Sequence, residues 1–491
     1  MVFQNNVLAG GAGGSGTTTY AINQSIRFND GDSPILKKTY GSAGTEETFT
    51  FSCWVKRGAI GAGLGGAGNY GLSLFSGGTN TSNYGEIRFE SSGYGTQDSL
   101  FFYNSTGGSI NMQLATTQLF RDTSAWYHIV CVMDTTNAVS SERMRIYVNG
   151  TRVTDFGTET YPSQNAVPNF NTATEHGVGG FAVDTDTRFF DGYLAEIVFI
   201  DGTALDSSSF GEYNSSGIWI PKDVSGLTFG TNGFHIDGRD SADLGDDESG
   251  NGNDYTASGL AANDQVSDSP TNNFAVLNPL DKGSNTTLAN GNIEFTSSND
   301  GGVRSSVFFN ADKYYIEAIV GTYGNAFTFG IANPDRSLSA DAGTDLADFY
   351  GWYINPTQNW IASGSNPWNT GNSSSSGSLD VMQMAVDASD PTSIKVFAGV
   401  NNTYYDSSGG TTANPSTGAN PTATITGGEE WSIGFWNRDA SASNIFVNFG
   451  QEGTFGGNKT AGGNSDANGI GNFFHSVPTG FKAICTKNLG S

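Results

Sequence analysis

The clearest pattern of apolar and polar positions runs from Trp126 to Gly150. His128-Ile-Val-Cys-Val-Met133 is a short apolar run rich in β-branched residues, and Asp134-Thr-Thr-Asn137 supplies turn residues. Met144-Arg-Ile-Tyr-Val148 then alternates apolar with polar and ends at Asn149-Gly150, the strongest short-range hairpin signal. A strand with one wet face alternates in this way, whereas a strand covered on both faces is apolar throughout. The stretch therefore predicts two strands that supply part of a sandwich core. Ile87-Arg-Phe-Glu90, Leu100-Phe-Phe-Tyr103 and Met112-Gln-Leu-Ala115 read as further short strands at meander spacing.

The second half repeats the pattern with different strands. Asn292-Ile-Glu-Phe295, Lys313-Tyr-Tyr-Ile-Glu-Ala-Ile-Val320, Phe327-Thr-Phe-Gly-Ile-Ala332, Met382-Gln-Met-Ala-Val-Asp387, Ile394-Lys-Val-Phe397, Trp431-Ser-Ile-Gly-Phe-Trp436 and Ile445-Phe-Val-Asn-Phe-Gly450 all have strand character. Between the halves lies an acidic stretch rich in Gly and Asn. The expected organisation is a flexible segment or anchor over 1–17, a sandwich over 18–212, a connector over 213–275 and a second sandwich over 276–491. The fold class is all-β, with two tandem antiparallel β-sandwiches.

Composition supports this class. The 491 residues include 68 glycines, and aromatics make up 12 %, which suits a turn-rich β protein with enough bulk for cores. With 22 Lys+Arg against 48 Asp+Glu, the net charge of −26 repels phosphate backbones and anionic membranes, so neither nucleic acid nor a membrane is an expected partner. No apolar run of about 18 residues is present to span a bilayer, and Met1–Leu8 lacks the features of a secretory signal. Cys53, Cys131 and Cys485 form no C-x-x-C pair, so no zinc site is expected, and a bridge between Cys53 and Cys131 is left open.

Three ordered pieces resemble the laminin G-like, concanavalin A-like jelly rolls: Tyr20–Asp30 followed by Phe49-Thr-Phe-Ser-Cys-Trp-Val-Lys56, then Trp126–Gly150, then Phe190–Leu205. In the second half, K-Y-Y-I-E-A-I, F-G-I-A, A-V-D and V-N-F-G occur in the order of a SPRY-type sandwich, with a long polar insertion at Asp406–Thr424 as a departure. The whole series, from the Gly-rich start through G-I-W-I-P-K-D to the P-T-G-F-K-A close, resembles virion-associated proteins of marine tailed phages. That resemblance implies a virion location and a tail fibre, spike or surface appendage that binds host-surface carbohydrate. It also implies other virion proteins as partners and a homo-trimer. A capsid decoration protein without a ligand is the alternative, and a carbohydrate-active hydrolase the second.

Candidate chemistry is sparse. The histidines at 128, 176, 235 and 475 are scattered, neither H-E-x-x-H nor G-x-S-x-G occurs, and no enzyme is expected. Glycoside hydrolases of jelly-roll type place two carboxylates on one strand facing a cleft; the nearest approach is Asp184 and Asp186, with Asp191 downstream. Sugar recognition needs aromatic faces beside amides and carboxylates. Trp352, Trp360 and Trp368 in YGWYINPTQNWIASGSNPWN are the candidate ligand-binding residues, with some of these rings expected on loops. Asp246, Asp247 and Asn251 form an oxygen-rich loop that suits Ca2+, although turns favour the same residues for backbone reasons.

Overall fold

The computed structural model describes residues 20–489 except 66–69, 92–94, 184–187, 323–325, 340–348, 356–357, 364–365, 370–379, 427–428 and 439–442. Backbone alone is described at 322, 326, 354–355, 358–363, 366–369, 438 and 443. The chain divides into two compact units, one ending at Asn273 and the next beginning at Phe274. Each is built of antiparallel sheets, with 3-10 turns in the first and no α-helix among the described residues.

In the first unit, one sheet runs Thr151–Arg152, Met144–Val148, Tyr127–Asp134, Thr48–Arg57, Gly192–Asp201, Ser25–Phe28, Gln265–Val266. Its partner sheet runs Phe156–Thr160, Ser109–Leu119, Ser99–Thr106, Asn83–Phe89, Leu72–Asn80, Glu175–Val178, Ile35–Thr39, Thr256–Ser258. The core lies between them. Phe49, Phe51, Cys53 and Val55 point in from one sheet, and Leu74, Ile87, Phe89, Leu100 and Phe102 from the other. Phe51 stacks on Phe75 with ring centroids 5.0 Å apart. The three cysteines are buried and free.

The Asn149-Gly150 signal is realised as a two-residue turn. Both residues have positive φ, 46° and 82°, and Val148 pairs with Thr151 across it. That conformation twists with the strands, which is why Asn-Gly is preferred there. The strand Tyr127–Asp134 is buried along almost its whole length because both faces are covered. Its inner face meets the sandwich core. Val130 and Val132 on the outer face pack with Phe210, Val224 and Phe229 from the chain after residue 201.

The stretch 213–275, expected as a connector, is therefore no spacer. Phe234–Ile236 pairs with Gly192–Asp201, Thr256–Ser258 with Ile35–Thr39, and Gln265–Val266 with Ser25–Phe28. Its acidic residues are largely spent on turns. Asp223 and Asp247, like Asp122, Asp206, Asp387, Asp390 and Asp406 elsewhere, accept the backbone N–H two residues on, at 3.2 Å or less. This Asx turn satisfies a loop donor locally.

The second unit packs the sheet Leu277–Lys282, Gly301–Phe309, Trp431–Arg438, Ala326–Ala332, Phe349–Asn355, Gln358–Ser363, Asn366–Asn369 against a second sheet. The latter runs Thr286–Ala289, Glu294–Ser297, Ser443–Asn448, Lys313–Thr322, Val381–Asp387, Ile394–Val400, Thr403–Tyr405, with Ala423–Ile425 also pairing Ile394–Val400. Phe435 bridges the layers, stacking on Phe329 of its own sheet at 5.0 Å and on Phe295 of the other at 6.1 Å. The outer face of the second sheet is covered by the C-terminal stretch, where Tyr315, Ala385 and Phe397 meet Phe473, Phe481 and Cys485.

Candidate functional site

The polar insertion at Asp406–Thr424 builds an open groove of about 630 Å3 lined by Asp406, Ser407, Ser408, Thr412, Asn420 and Thr424 among others. Its rim is set by one carboxylate. Asp406 accepts hydrogen bonds from the Ser408 N–H (2.9 Å) and hydroxyl (2.6 Å), the Gly410 N–H (3.0 Å) and the Thr412 hydroxyl (2.5 Å). The Ser408 and Thr412 hydroxyls, with those N–H groups, hold its carboxyl well below the usual range, so it stays ionised and the loop stays shaped. Asn420 braces the far wall by donating to the Thr412 carbonyl at 3.3 Å. The floor is fixed by Thr422, which donates to the Tyr405 carbonyl and accepts the Ala398 N–H at 2.9 Å. Ser407, Asn420 and Thr424 remain exposed at the surface of this rigid frame. Hydroxyl, amide and carboxylate groups on a fixed open surface suit a polyhydroxylated ligand.

The tryptophan candidates take other places. Trp352 lies on the strand Phe349–Asn355, only 1 % exposed, with its ring edge-on to Tyr405 at 5.5 Å. It packs behind the strand that leads into the groove and offers no ring face to solvent, which corrects its reading as a surface stacking residue. The cause is its register: Trp352 pairs with Phe329 on one side and Ile361 on the other, inside a seven-stranded sheet. Trp360 and Trp368 also sit on strands and not on loops, paired with Tyr353 and Ile361; their side chains lie outside the described residues.

Two of the candidate calcium residues are engaged by the protein itself. Asp247 spends both carboxylate oxygens on the protein, one on the His235 and Ser249 N–H groups and the other on the Ser249 hydroxyl and the Asn253 N–H. Asn251 donates its amide to the Gly230 and Gly233 carbonyls. Asp247 and Asn251 are thus committed to the protein's own groups. No cluster of three or more His, Cys, Asp or Glu able to hold a metal occurs among the described residues. The turn chemistry explains the sequence.

Catalytic arrangements fare no better. Asp184 and Asp186 lie outside the described residues. Asp191 is buried, and desolvation together with Asp30 pushes its carboxyl up to about 8. The strand that does align two carboxylates is Asn83–Phe89 with the next residue: Glu86, Arg88 and Glu90 alternate on one face. The sequence reading missed this set, although the alternating charges in Glu86-Ile-Arg-Phe-Glu90 carry the signal. Arg88 pairs with Glu86 and Glu90 at 2.9 Å each, while Arg188 and the Tyr103 hydroxyl close on Glu86. Burial pushes the Glu86 carboxyl up, but Arg188, Arg88 and Tyr103 outweigh it and hold it below the usual range. A general acid needs the opposite shift.

Ser52 and His128 resemble a nucleophile and base, with Oγ 2.9 Å from Nε2. The tautomer rules that out. Trp219 Nε1–H donates to His128 Nδ1 at 3.0 Å, so Nδ1 is the bare nitrogen and Nε2 carries the proton toward Ser52. Burial lowers the imidazole to about 3. His128 is a neutral structural donor and not a base.

Residues 29–208 match the family described as the concanavalin A-like lectin/glucanases superfamily. No curated relative matches the chain. Among solved structures, domains LG4-5 of the mouse laminin alpha1 chain are similar at 8 % identity, over 96 % of this chain and 90 % of that one, with a TM-score of 0.29. The SPRY domain of human HERC1 is similar at 10 % identity, over 35 % and 96 %, with a TM-score of 0.25. A heptameric SAP-like pentraxin from Limulus polyphemus is similar at 16 % identity, over 38 % and 79 %, with a TM-score of 0.26. Scores this low place no functional residue, and none is carried over. The first unit carries a concanavalin A-like, laminin G-like sandwich.

Proposed function

We propose that this protein is a non-catalytic glycan-binding protein, serving host attachment on a phage tail fibre, spike or surface appendage and assembling as a trimer with other virion proteins. The observation that carries the glycan reading is the preshaped polar groove at Asp406–Thr424, whose exposed hydroxyl and amide groups stand on a frame held by Asp406. The lectin-type family match in the first unit supports it. Glu86 and Glu90 are tied to Arg88 and do not form a free acid–base pair. Many weak copies on one particle would raise the avidity of a shallow site.

The test has two arms. Binding of the full chain to purified host-surface polysaccharide is measured beside the Asn420→Ala/Thr424→Ala variant. Loss in the variant with an unchanged melt supports the groove; equal binding removes it. Gold-labelled antibody on intact particles is expected at the tail or its fibres. Label spread over the head would replace attachment with capsid decoration.

A further inference from the structure

We propose that Tyr213 is an aromatic stacking platform for a neutral pyranose, forming a second glycan contact that lies wholly in the first unit. This deepens the glycan reading and rests on it. Among the described residues Tyr213 is the one large aromatic side chain left mostly exposed, at 56 %. It is not free to swing. Its hydroxyl donates to the Asn149 carbonyl at 3.2 Å and lies 3.3 Å from the Thr151 hydroxyl. Its ring stands edge-on to Trp219, with centroids 4.9 Å apart at 69°. Trp219 is itself immobilised. A Cβ on Gly150 or on Gly211 would come within 2.5 Å of its indole, its N–H is held by His128, and it pairs with Tyr213 across the hairpin Gly211–Tyr213 and Trp219–Pro221. The chain thus holds an indole against a phenol ring and leaves more than half of the tyrosine's surface open to solvent.

Trp219 and the two hydroxyl contacts hold the ring in place before a ligand arrives, so little rotamer entropy remains to be lost on binding. The C–H face of a pyranose packs on such a ring, and the exposed Thr151 hydroxyl beside it can bond a sugar hydroxyl. A chain of net charge −26 repels uronate, sulfate and phosphate, which selects neutral sugars.

Saturation-transfer NMR on the full chain, with methyl glycosides of glucose, galactose and N-acetylglucosamine and with galacturonate as the acidic control, tests this. Expected are signals from the ring protons of at least one neutral glycoside and none from galacturonate. Tyr213→Ala should weaken binding roughly three- to tenfold, with an unchanged melt. Tyr213→Phe should keep most of the binding. Equal binding by wild type and Tyr213→Ala overturns the platform while leaving the groove standing. Loss in Asn420→Ala alone does the same, and no binding of any neutral glycoside or host polysaccharide overturns both readings.

Discussion

Each unit covers the outer face of one of its sheets with the chain that follows the last central strand, but the two covers are fastened by different chemistry. In the first unit the cover is tied through charges matched by opposite charges. Lys56, fully buried on the strand Thr48–Arg57, reaches Asp268 at 2.7 Å and Asn273 at 2.7 Å, and Arg27 reaches Asp264 at 3.0 Å. In the second unit the ion pair of Lys482 with Asp312 between cover and sheet, at 2.8 Å, is partly exposed, and the buried fastening is a carboxylate without a cation. Glu317 accepts the Phe474 N–H at 2.7 Å, the His475 N–H at 2.8 Å and the Tyr315 hydroxyl at 2.8 Å. A matched buried pair tolerates pH but not the loss of one partner; a lone buried carboxylate tolerates substitution better but is set by pH.

The largest effect should follow from breaking the match. Lys56→Met leaves Asp268 buried without its cation, the Trp126 N–H still donating to it at 3.1 Å, and should cost about 3–5 kcal/mol in urea unfolding of the first unit. Lys56→Met/Asp268→Asn should recover most of that, because no uncompensated charge remains. A double variant as weak as the single would mean that the pair matters through packing and not charge.

Next comes pH. Burial pushes the Glu317 carboxyl up from 4.5 to about 7, against the hydrogen bonds of His475, Phe474 and Tyr315. A raised folded value means that the contribution is full below 4.5 and is lost as pH rises through 7, a fall of roughly 3 kcal/mol. Glu317→Gln should flatten that slope. The first cover has its own titrating contact in His235, whose Nε2 lies 3.0 Å from Glu196. Burial lowers this imidazole, but Glu196 outweighs it and the net direction is up, so its contribution is present below 6.5 and lost above. Hydrogen exchange at 474–475 should therefore quicken mainly between pH 4.5 and 7, and at 234–236 only above 6.5. Coincident profiles would erase the contrast.

Sequence pattern made the sandwich strands legible because their periodicity is local. The apolar run at His128–Met133, the alternation at Met144–Val148 and the Asn149-Gly150 turn each need only near neighbours. The covers were illegible for the opposite reason. Phe234–Ile236 and Gln265–Val266 are short strands among turn residues, and only their long-range partners make them strands. Among site residues, Trp352 misled because an aromatic among Asn and Ser looks wet until the pairing with Phe329 is known. Glu86, Arg88 and Glu90 were visible as alternating charges, but Arg188, which helps to neutralise them, arrives from far along the chain. The groove was foreshadowed only as a polar insertion.

A smaller effect tests the neutral histidine beneath the first cover. Trp219→Phe removes the donor to His128 Nδ1 and should cost about 1–3 kcal/mol. Nitrogen shifts in the wild type should report the Nε2–H tautomer throughout pH 5–8, since burial keeps the imidazole near 3. An imidazolium in that range would return Ser52 and His128 to the list of reactive pairs.

The smallest expected effect bears on the cover's acidic loop, where the turn and calcium readings of one sequence separate. Asp247→Ala removes the acceptor for the N–H groups of His235, Ser249 and Asn253 and should cost about 1–2 kcal/mol. Calcium itself should do nothing, because those donors already occupy both oxygens of Asp247 and a cation would have to displace them. A ligand that binds the folded state at 100 times its dissociation constant raises stability by about 2.7 kcal/mol, so a site with a dissociation constant of about 10 μM would show in millimolar calcium. An unchanged melt with calcium or chelator fits a loop built by Asx turns, in which acidic residues hold the backbone directly. A chelator-sensitive melt would instead place the first cover under metal control and make its fastening, like that of Glu317, dependent on the medium.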